Sequence, residues 1–179
     1  QLIDSATQNV DTVYSLIDTQ VKDTLIDIDY FAANITKNMT SGAAGTDGVQ
    51  KNLAQYLQLN PTILNIHVGT SEGKMIRGNL NAAADPKYDP RERDWYKAAM
   101  ATPGKTYISP VTTNSDGVTV IQMSKALDDG SGAMGLSFNL TQLREQASIK
   151  VGKEGYVIIV DSDKNVIASP SVKPGDKLE

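Results

Sequence analysis

Residues 117–140, GVTVIQMSKALDDGSGAMGLSFNL, contain two runs of strand-forming residues on either side of a polar turn. Alternation in the first run and the DDGSG sequence between the runs are typical of a β-hairpin. A shorter hairpin is predicted upstream, with strands at 63–69 and 74–78 and a turn at 71–73. Two hairpins separated by a helix-bearing segment predict a small antiparallel sheet with helices across one face, which is an α+β fold.

The N-terminal residues predict helices. Apolar side chains recur every three or four positions through residues 10–39, which indicates one continuous helix of roughly 35 residues that must project or connect. A breaker-rich loop at 40–48 and a short amphipathic helix at 49–59 should follow. Another helix is predicted from Pro90 to Ala101, because proline is favoured at the first helical position.

The C-terminal residues predict the start of a second sheet. Thr141 can cap a helix at 142–149, and a linker at 152–155 leads to a third hairpin with strands at 156–160 and 166–170. No later strands remain to pair with this hairpin within the 179 residues, so the second sheet is expected to be truncated.

Composition narrows the function classes. The chain has 179 residues, of which 40% are hydrophobic and 21% charged, as in a soluble globular protein. The 17 Lys and Arg against 21 Asp and Glu leave a net charge of −4, which argues against a nucleic-acid partner. With no cysteine and one histidine, cysteine nucleophiles and multi-ligand Cys or His metal sites are excluded, and no cofactor is expected. Neither a membrane span nor a signal peptide is evident, which suggests a cytosolic protein or a piece of a larger one.

The densest group of binding-type residues is the stretch 88–96, YDPRERDWY. A guanidinium beside aromatic rings suits a carboxylate, because it offers two parallel hydrogen bonds while the rings exclude water. On a regular helix Arg93 and Tyr96 share a face, and Trp95 can join them only if the helix starts irregularly. The alternative is structural: the two aromatic residues anchor the core and Arg93 pairs with a neighbouring acidic residue.

The run 89–99, DPRERDWYKAA, resembles the signature segment of the double Cache family, the PAS-like sensor domains on the outer side of bacterial and archaeal chemoreceptors and sensor kinases. The resemblance continues through 107–110, 118–140 and 155–161, and the stripe at 10–39 is similar to the family's N-terminal helix. It implies a long helix at 1–40, a membrane-distal PAS-like ligand-binding subdomain at 41–150, and the truncated start of a membrane-proximal PAS-like subdomain at 151–179.

The resemblance also implies a site. Tyr88, Arg93, Trp95 and Tyr96 match the residues at the ligand carboxylate in amino-acid-sensing members. The later tyrosine and two aspartates of those members, which serve the ligand ammonium, fall here on Val111, Thr113 and Ser137. Because an unpaired ammonium is costly to bury, we expect a small organic acid without an amine. The expected ligand-binding residues are Arg93, Trp95, Tyr96, Tyr88, Tyr107, Ser109, Val111, Thr113, Ser137 and His67.

His67 has two interpretations, since a histidine in the middle of a strand can point into the pocket or be hydrogen-bonded in place. For the chain as a whole we expect the extracytoplasmic sensor domain of a membrane-anchored receptor, with a homodimer through the N-terminal helix. Two alternatives are an amino-acid sensor of the same family and a non-sensing dimerisation stalk. No enzyme is expected, because Asp85, Asp89 and Glu92 do not define a catalytic carboxylate pair.

Overall fold

A computed structural model describes residues 2–83, 85–114, 116–142, 159–160 and 166–168. Helices come first along the chain, and strands dominate after residue 62. The elements are α1 (Leu2–Asn34), α2 (Lys37–Thr40), α3 (Gly42–Leu59), β1 (Ile63–Thr70), β2 (Met75–Arg77), a 3-10 turn (Pro90–Glu92), α4 (Asp94–Ala101), β3 (Tyr107–Ile108), β4 (Thr112–Thr113), β5 (Thr119–Ala126), β6 (Gly132–Asn139), β7 (Ile159–Val160) and β8 (Val166–Ala168).

Six of these strands form one sheet in the order β2-β1-β6-β5-β3, with β4 also paired to β5. Both predicted hairpins are confirmed, as β1 with β2 and as β5 with β6. The two hairpins join where β1 pairs antiparallel with β6, so that His67 has Arg77 on one side and Gly135 on the other. The predicted α+β class is therefore confirmed.

The core lies on the sheet and beneath two helices. Almost every residue of β6 is buried, including Met134, Leu136 and Phe138. Helices α1 and α3 contribute Ile28 and Leu53, which are fully buried. Burial of each of these large apolar side chains contributes about 2 kcal/mol and stabilises the centre of the sheet. A stable sheet can hold the side chains of a site in fixed positions.

The N-terminal helix is shorter than predicted. Helix α1 ends at Asn34, whose side-chain amide donates to the Tyr30 carbonyl at 2.8 Å, and Thr36 then adopts an extended conformation with φ −118° and ψ 165°. The prediction of an unbroken helix to Met39 was wrong in its last turn. A periodic apolar stripe continues across the break because α2 resumes the same spacing, and periodicity alone does not register a short interruption.

The predicted loop at 40–48 was also wrong, since α3 already begins at Gly42. Gly45 does not form a loop but allows the backbone of α3 to approach Met39 closely. A Cβ at position 45 would lie only 2.5 Å from the Met39 carbonyl oxygen. An ion pair between Asp47 and Lys51 at 2.7 Å, one turn apart, supports this part of the helix. The low helix propensity of glycine predicts a break over this segment, but packing overrides that propensity here.

Two compact units make up the chain. One comprises Leu25–Ser109 and Gln122–Phe138, and the other comprises Gln1–Thr24, Pro110–Ile121 and Asn139–Glu179. In the latter unit β7 and β8 pair antiparallel, as the third predicted hairpin requires. The helix predicted at 142–149 and the linker at 152–155 lie almost wholly outside the described residues. None of the helices that the structure describes is long and apolar enough to cross a membrane.

Candidate ligand-binding site

The segment that carries the aromatic residues is held by a local clamp. The Asp89 carboxylate accepts a hydrogen bond from the Arg91 backbone N–H at 2.9 Å and two from its guanidinium, at 2.9 Å from Nε and 2.6 Å from Nη2. These side-chain hydrogen bonds from Arg91 lower the pKa of Asp89 to about 2. The Arg91 guanidinium also reaches the Ser71 carbonyl oxygen at 3.4 Å, so the clamp touches the turn between β1 and β2.

The helix predicted from Pro90 is interrupted. A 3-10 turn covers Pro90–Glu92, Arg93 is extended with φ −87° and ψ 144°, and α4 begins at Asp94. This is the irregular start that the sequence required for Trp95 to join the site. As a result Trp95 and Tyr96, next to each other in the chain, are both buried.

Two strand glycines make room for the indole of Trp95. A Cβ on Gly69 would lie 2.6 Å from the Pro90 Cβ and 3.1 Å from the Trp95 Cη2. A Cβ on Gly135 would lie 3.1 Å from the Trp95 Cε3. Sequence reasoning missed both residues, although a glycine inside a strand pattern often marks a close approach to the sheet.

A small concavity opens over β1, β5 and β6, and the space inside it is about that of one water molecule. Its walls combine apolar side chains with neutral polar ones, and among the residues that the structure describes no acidic side chain lines it. The lining residues are His67, Trp95, Gln122, Met123, Gly135, Leu136 and Ser137. The chemistry of this wall suits an apolar body that carries a neutral polar group.

Trp95 is fixed from three sides. Its indole N–H donates to the Tyr88 hydroxyl at 3.3 Å, and its carbonyl oxygen accepts from the buried Ser124 hydroxyl at 2.8 Å. Its ring meets the His67 ring edge-on, with centroids 4.5 Å apart and an interplanar angle of 68°. Because the indole is held before any ligand arrives, little conformational entropy would be lost there on binding.

His67 is half-buried as a residue, but its Nε2 is buried and has no hydrogen-bond partner. Burial, followed by the positive charge of Arg77, lowers the pKa of His67 to about 4. The imidazole is therefore neutral at neutral pH. The interpretation of His67 as a histidine hydrogen-bonded in place does not fit its Nε2, while its position at the cavity fits the other interpretation.

Two arginines flank the ring of Tyr88. The Arg93 Cζ lies 4.3 Å from the ring centroid and the Arg77 Cζ lies 5.0 Å from it, both within cation–π range. The structural alternative paired Arg93 with Glu92, Asp94 or Asp89, of which Asp89 is engaged by Arg91. Within the part of the chain that the structure describes, neither flanking guanidinium forms an ion pair. Sequence reasoning missed Arg77, whose signal was its register opposite His67.

Two other predicted site residues, Ser137 and Tyr96, differ in whether they line the cavity. Ser137 is buried and lines it. Tyr96 does not line it but packs in a small cluster with Ala99, Ala133 and the lining residue Trp95, whose ring centroid lies 5.7 Å from that of Tyr96. Trp95 lines the cavity and Tyr96 does not because α4 turns consecutive side chains by about 100°.

The remaining predicted residues lie on or near the edge of the sheet. Tyr107 is half-buried in β3, and Ser109 accepts through its hydroxyl from the Gln122 N–H at 2.9 Å. Ser109 thereby positions Gln122, a lining residue that sequence reasoning also missed. Val111 and Thr113 belong to the other compact unit, where Val111 is half-buried and Thr113 is exposed in β4.

Methyl-accepting chemotaxis proteins are similar to this chain along almost its whole length. A probable methyl-accepting chemotaxis protein of Bacillus thuringiensis subsp. konkukian (strain 97-27) is 34% identical over 183 residues, which cover 99% of this chain and 27% of that protein. The methyl-accepting chemotaxis protein TlpB of Bacillus subtilis (strain 168) is 35% identical over 177 residues, covering 98% of this chain and 26% of TlpB. The chain thus spans about a quarter of the length of these curated relatives.

Solved structures share the fold. The ligand-binding domain of the Pseudomonas aeruginosa amino acid chemoreceptor PctC, in complex with GABA, has a TM-score of 0.72 at 15% identity over 96% of this chain and 77% of that one. That of the Pseudomonas fluorescens chemoreceptor CtaA, in complex with L-serine, has a TM-score of 0.70 at 20% identity over 95% and 73%. The Cache domain family matches residues 1–177, and this chain therefore belongs to the Cache domain family.

Proposed function

We propose that this Cache domain is the extracytoplasmic ligand-sensing part of a transmembrane chemoreceptor, and that its ligand is a small carboxylate bound beside Tyr88 and Trp95. The chemotaxis relatives support the receptor, of which this chain would form about a quarter. Ligand binding would tighten the signature segment on the sheet without chemical change to the ligand, so the domain would be a sensor and not an enzyme.

The observation that carries this proposal is the pair of cations on one aromatic ring. Arg77 and Arg93 both approach Tyr88, and no carboxylate within the described ranges neutralises either one. A bound anion would gain attraction from the guanidinium it contacts, and it would not have to displace a carboxylate already bound there. A planar guanidinium binds a carboxylate through two parallel hydrogen bonds, which favours a carboxylate over a halide or another spherical anion.

The lining of the cavity favours an acid without an amine. An ammonium group entering it would meet His67, Gln122 and Ser137 but no negative charge. Burying an uncompensated ammonium costs several kcal/mol. Amino acids are the second candidate, because solved relatives of the same fold are complexes with L-serine, L-alanine and L-valine.

A binding panel tests the proposal. Thermal unfolding is measured with propionate, lactate, L-alanine and L-serine, since a ligand at about 100 times its Kd adds roughly 2.7 kcal/mol of stability. Arg93→Ala should weaken carboxylate binding at least tenfold. Lys97→Ala, which removes one exposed positive charge from α4, is the matched control and should bind normally.

Each outcome of the panel has a distinct meaning. Stabilisation by amino acids and not by amine-free acids would refute the ligand class while keeping a sensor. No response to any carboxylate, with Arg93→Ala folded and unchanged, would favour the non-sensing stalk. If Arg93→Ala and Lys97→Ala weaken carboxylate binding equally, the affinity depends on the overall positive charge and not on a contact with Arg93.

We further propose the division expected from the double Cache resemblance: helix 1–40, membrane-distal subdomain 41–150 and the start of a membrane-proximal subdomain at 151–179. Two copies would associate through the N-terminal helix, on which Ile26 and Tyr30 are 65% and 64% exposed one turn apart. Sedimentation of the protein with and without Ile26→Lys tests this association, and a monomer at all concentrations would refute it.

A further inference from the structure

We infer that His67 Nε2 determines ligand specificity by hydrogen-bonding a hydroxyl group of the bound acid, so that the domain prefers small hydroxy acids. This inference rests on the proposed carboxylate site, and it assigns to His67 the recognition of the part of the ligand beyond its carboxylate.

The buried Nε2 is the first observation. It is shielded from solvent, and within the described part of the protein no hydrogen-bond partner reaches it. Leaving a buried polar atom unpaired is costly, and native proteins contain few such atoms. A ligand atom that arrived in the cavity would supply the missing partner.

The shape of the sheet keeps His67 beside the cavity. His67 lies opposite Gly135 in the pairing of β1 with β6, and a Cβ on that glycine would stand 2.9 Å from Nε2. Both residues line the cavity, and the edge-on contact with Trp95 holds the imidazole from the side. Any residue other than glycine at 135 would push the imidazole away from this position.

The neighbouring polar groups define the chemistry of the ligand atom. Ser137 and Gln122 are the other polar residues of the lining, and neither carries a charge. The ligand group beside them should therefore be neutral. A hydroxyl is the best match, because it can donate to or accept from Nε2 and so suits either imidazole tautomer, whereas a keto oxygen can only accept.

Matched pairs of acids test the inference. Titration calorimetry at pH 7.5 compares lactate with propionate and 3-hydroxybutyrate with butyrate, where each pair differs by one hydroxyl. We expect at least one hydroxy acid to bind about three- to tenfold more tightly than its partner, the range of one net hydrogen bond. His67→Phe keeps an aromatic ring but should abolish that preference, and His67→Gln, which can still hydrogen-bond, should retain part of it.

Arg93→Ala separates the inference from the proposed function, because it should weaken both members of a pair equally. If the wild-type protein binds the members of both pairs with equal affinity, the role of His67 is refuted and the carboxylate site stands. A preference that survives in a folded His67→Phe protein also refutes it. If no carboxylate binds at all, the proposed function fails and this inference falls with it.

Discussion

Acidification should destabilise the protein through its one histidine. Burial lowers the pKa of His67 from its ordinary value of 6.5 to about 4, so the folded protein keeps a neutral imidazole where the unfolded chain binds a proton. The stability contributed by the neutral form is fully present above pH 6.5 and is lost as the pH falls towards 4. For these two pKa values, linkage gives a loss of about 2 kcal/mol at pH 5 and about 3 kcal/mol at pH 4.

Urea unfolding followed by tryptophan fluorescence measures this loss. Trp95 is the only tryptophan, and its ring centroid lies 4.5 Å from that of His67, so its emission reports on the same part of the sheet. His67→Phe removes the titrating group. Between pH 7 and pH 5 the wild-type protein should lose about 2 kcal/mol more free energy of unfolding than the variant.

Carboxylates do not obscure this comparison, because they are the same in both proteins. Asp89, with its pKa lowered to about 2, contributes stability that is lost only at more acidic pH than the histidine window. Equal losses in the two proteins would show that the imidazole is not held neutral in the fold. Should His67→Phe fail to fold, NMR titration of the single imidazole gives its pKa directly, and a value near 6.5 would refute the reasoning.

Two further experiments test the packing at Gly135 and the ion pair between Asp29 and Lys125. Gly135→Ala should weaken binding of a carboxylate probe at least tenfold by calorimetry, because the new Cβ would crowd His67 and Trp95; an unchanged Kd in the folded variant would contradict the close approach. Asp29→Ala should destabilise the protein by about 1 kcal/mol in urea unfolding and by more than Lys125→Met does, because it leaves Lys125, whose side chain is largely buried, without its 2.7 Å partner. The reverse order would mean that the aliphatic stem of Lys125 matters more than its charge.

Local sequence patterns accounted for much of the fold. Alternation and turn residues located both hairpins of the sheet, because a tight turn and a period of two are encoded by neighbouring residues. The stripe at 10–39 located the long helix for the same reason, and the stretch 88–96 was recognised as the place to look for a site. The irregular start of α4 was foreseen only as a condition for Trp95 to take part.

Other features depended on contacts between distant residues. The helix over 42–48 forms despite its glycines. At position 45 a glycine is required, because a side chain there would collide with the Met39 carbonyl oxygen, and no helix propensity describes such a contact. Likewise, the clamp between Arg91 and Asp89 is local, yet its reach to Ser71 depends on where β1 turns into β2.

By itself, the sequence determined that a guanidinium and three aromatic rings lie within nine residues, and that an antiparallel sheet lies nearby. Only the tertiary structure decided which of them face a cavity. The pairing of β1 with β6 sets His67 over Gly135, and the break at Arg93 turns Trp95 towards them. Register and burial decide whether a polar atom finds a partner, and both arise from packing between segments far apart in the chain, which a local pattern cannot encode.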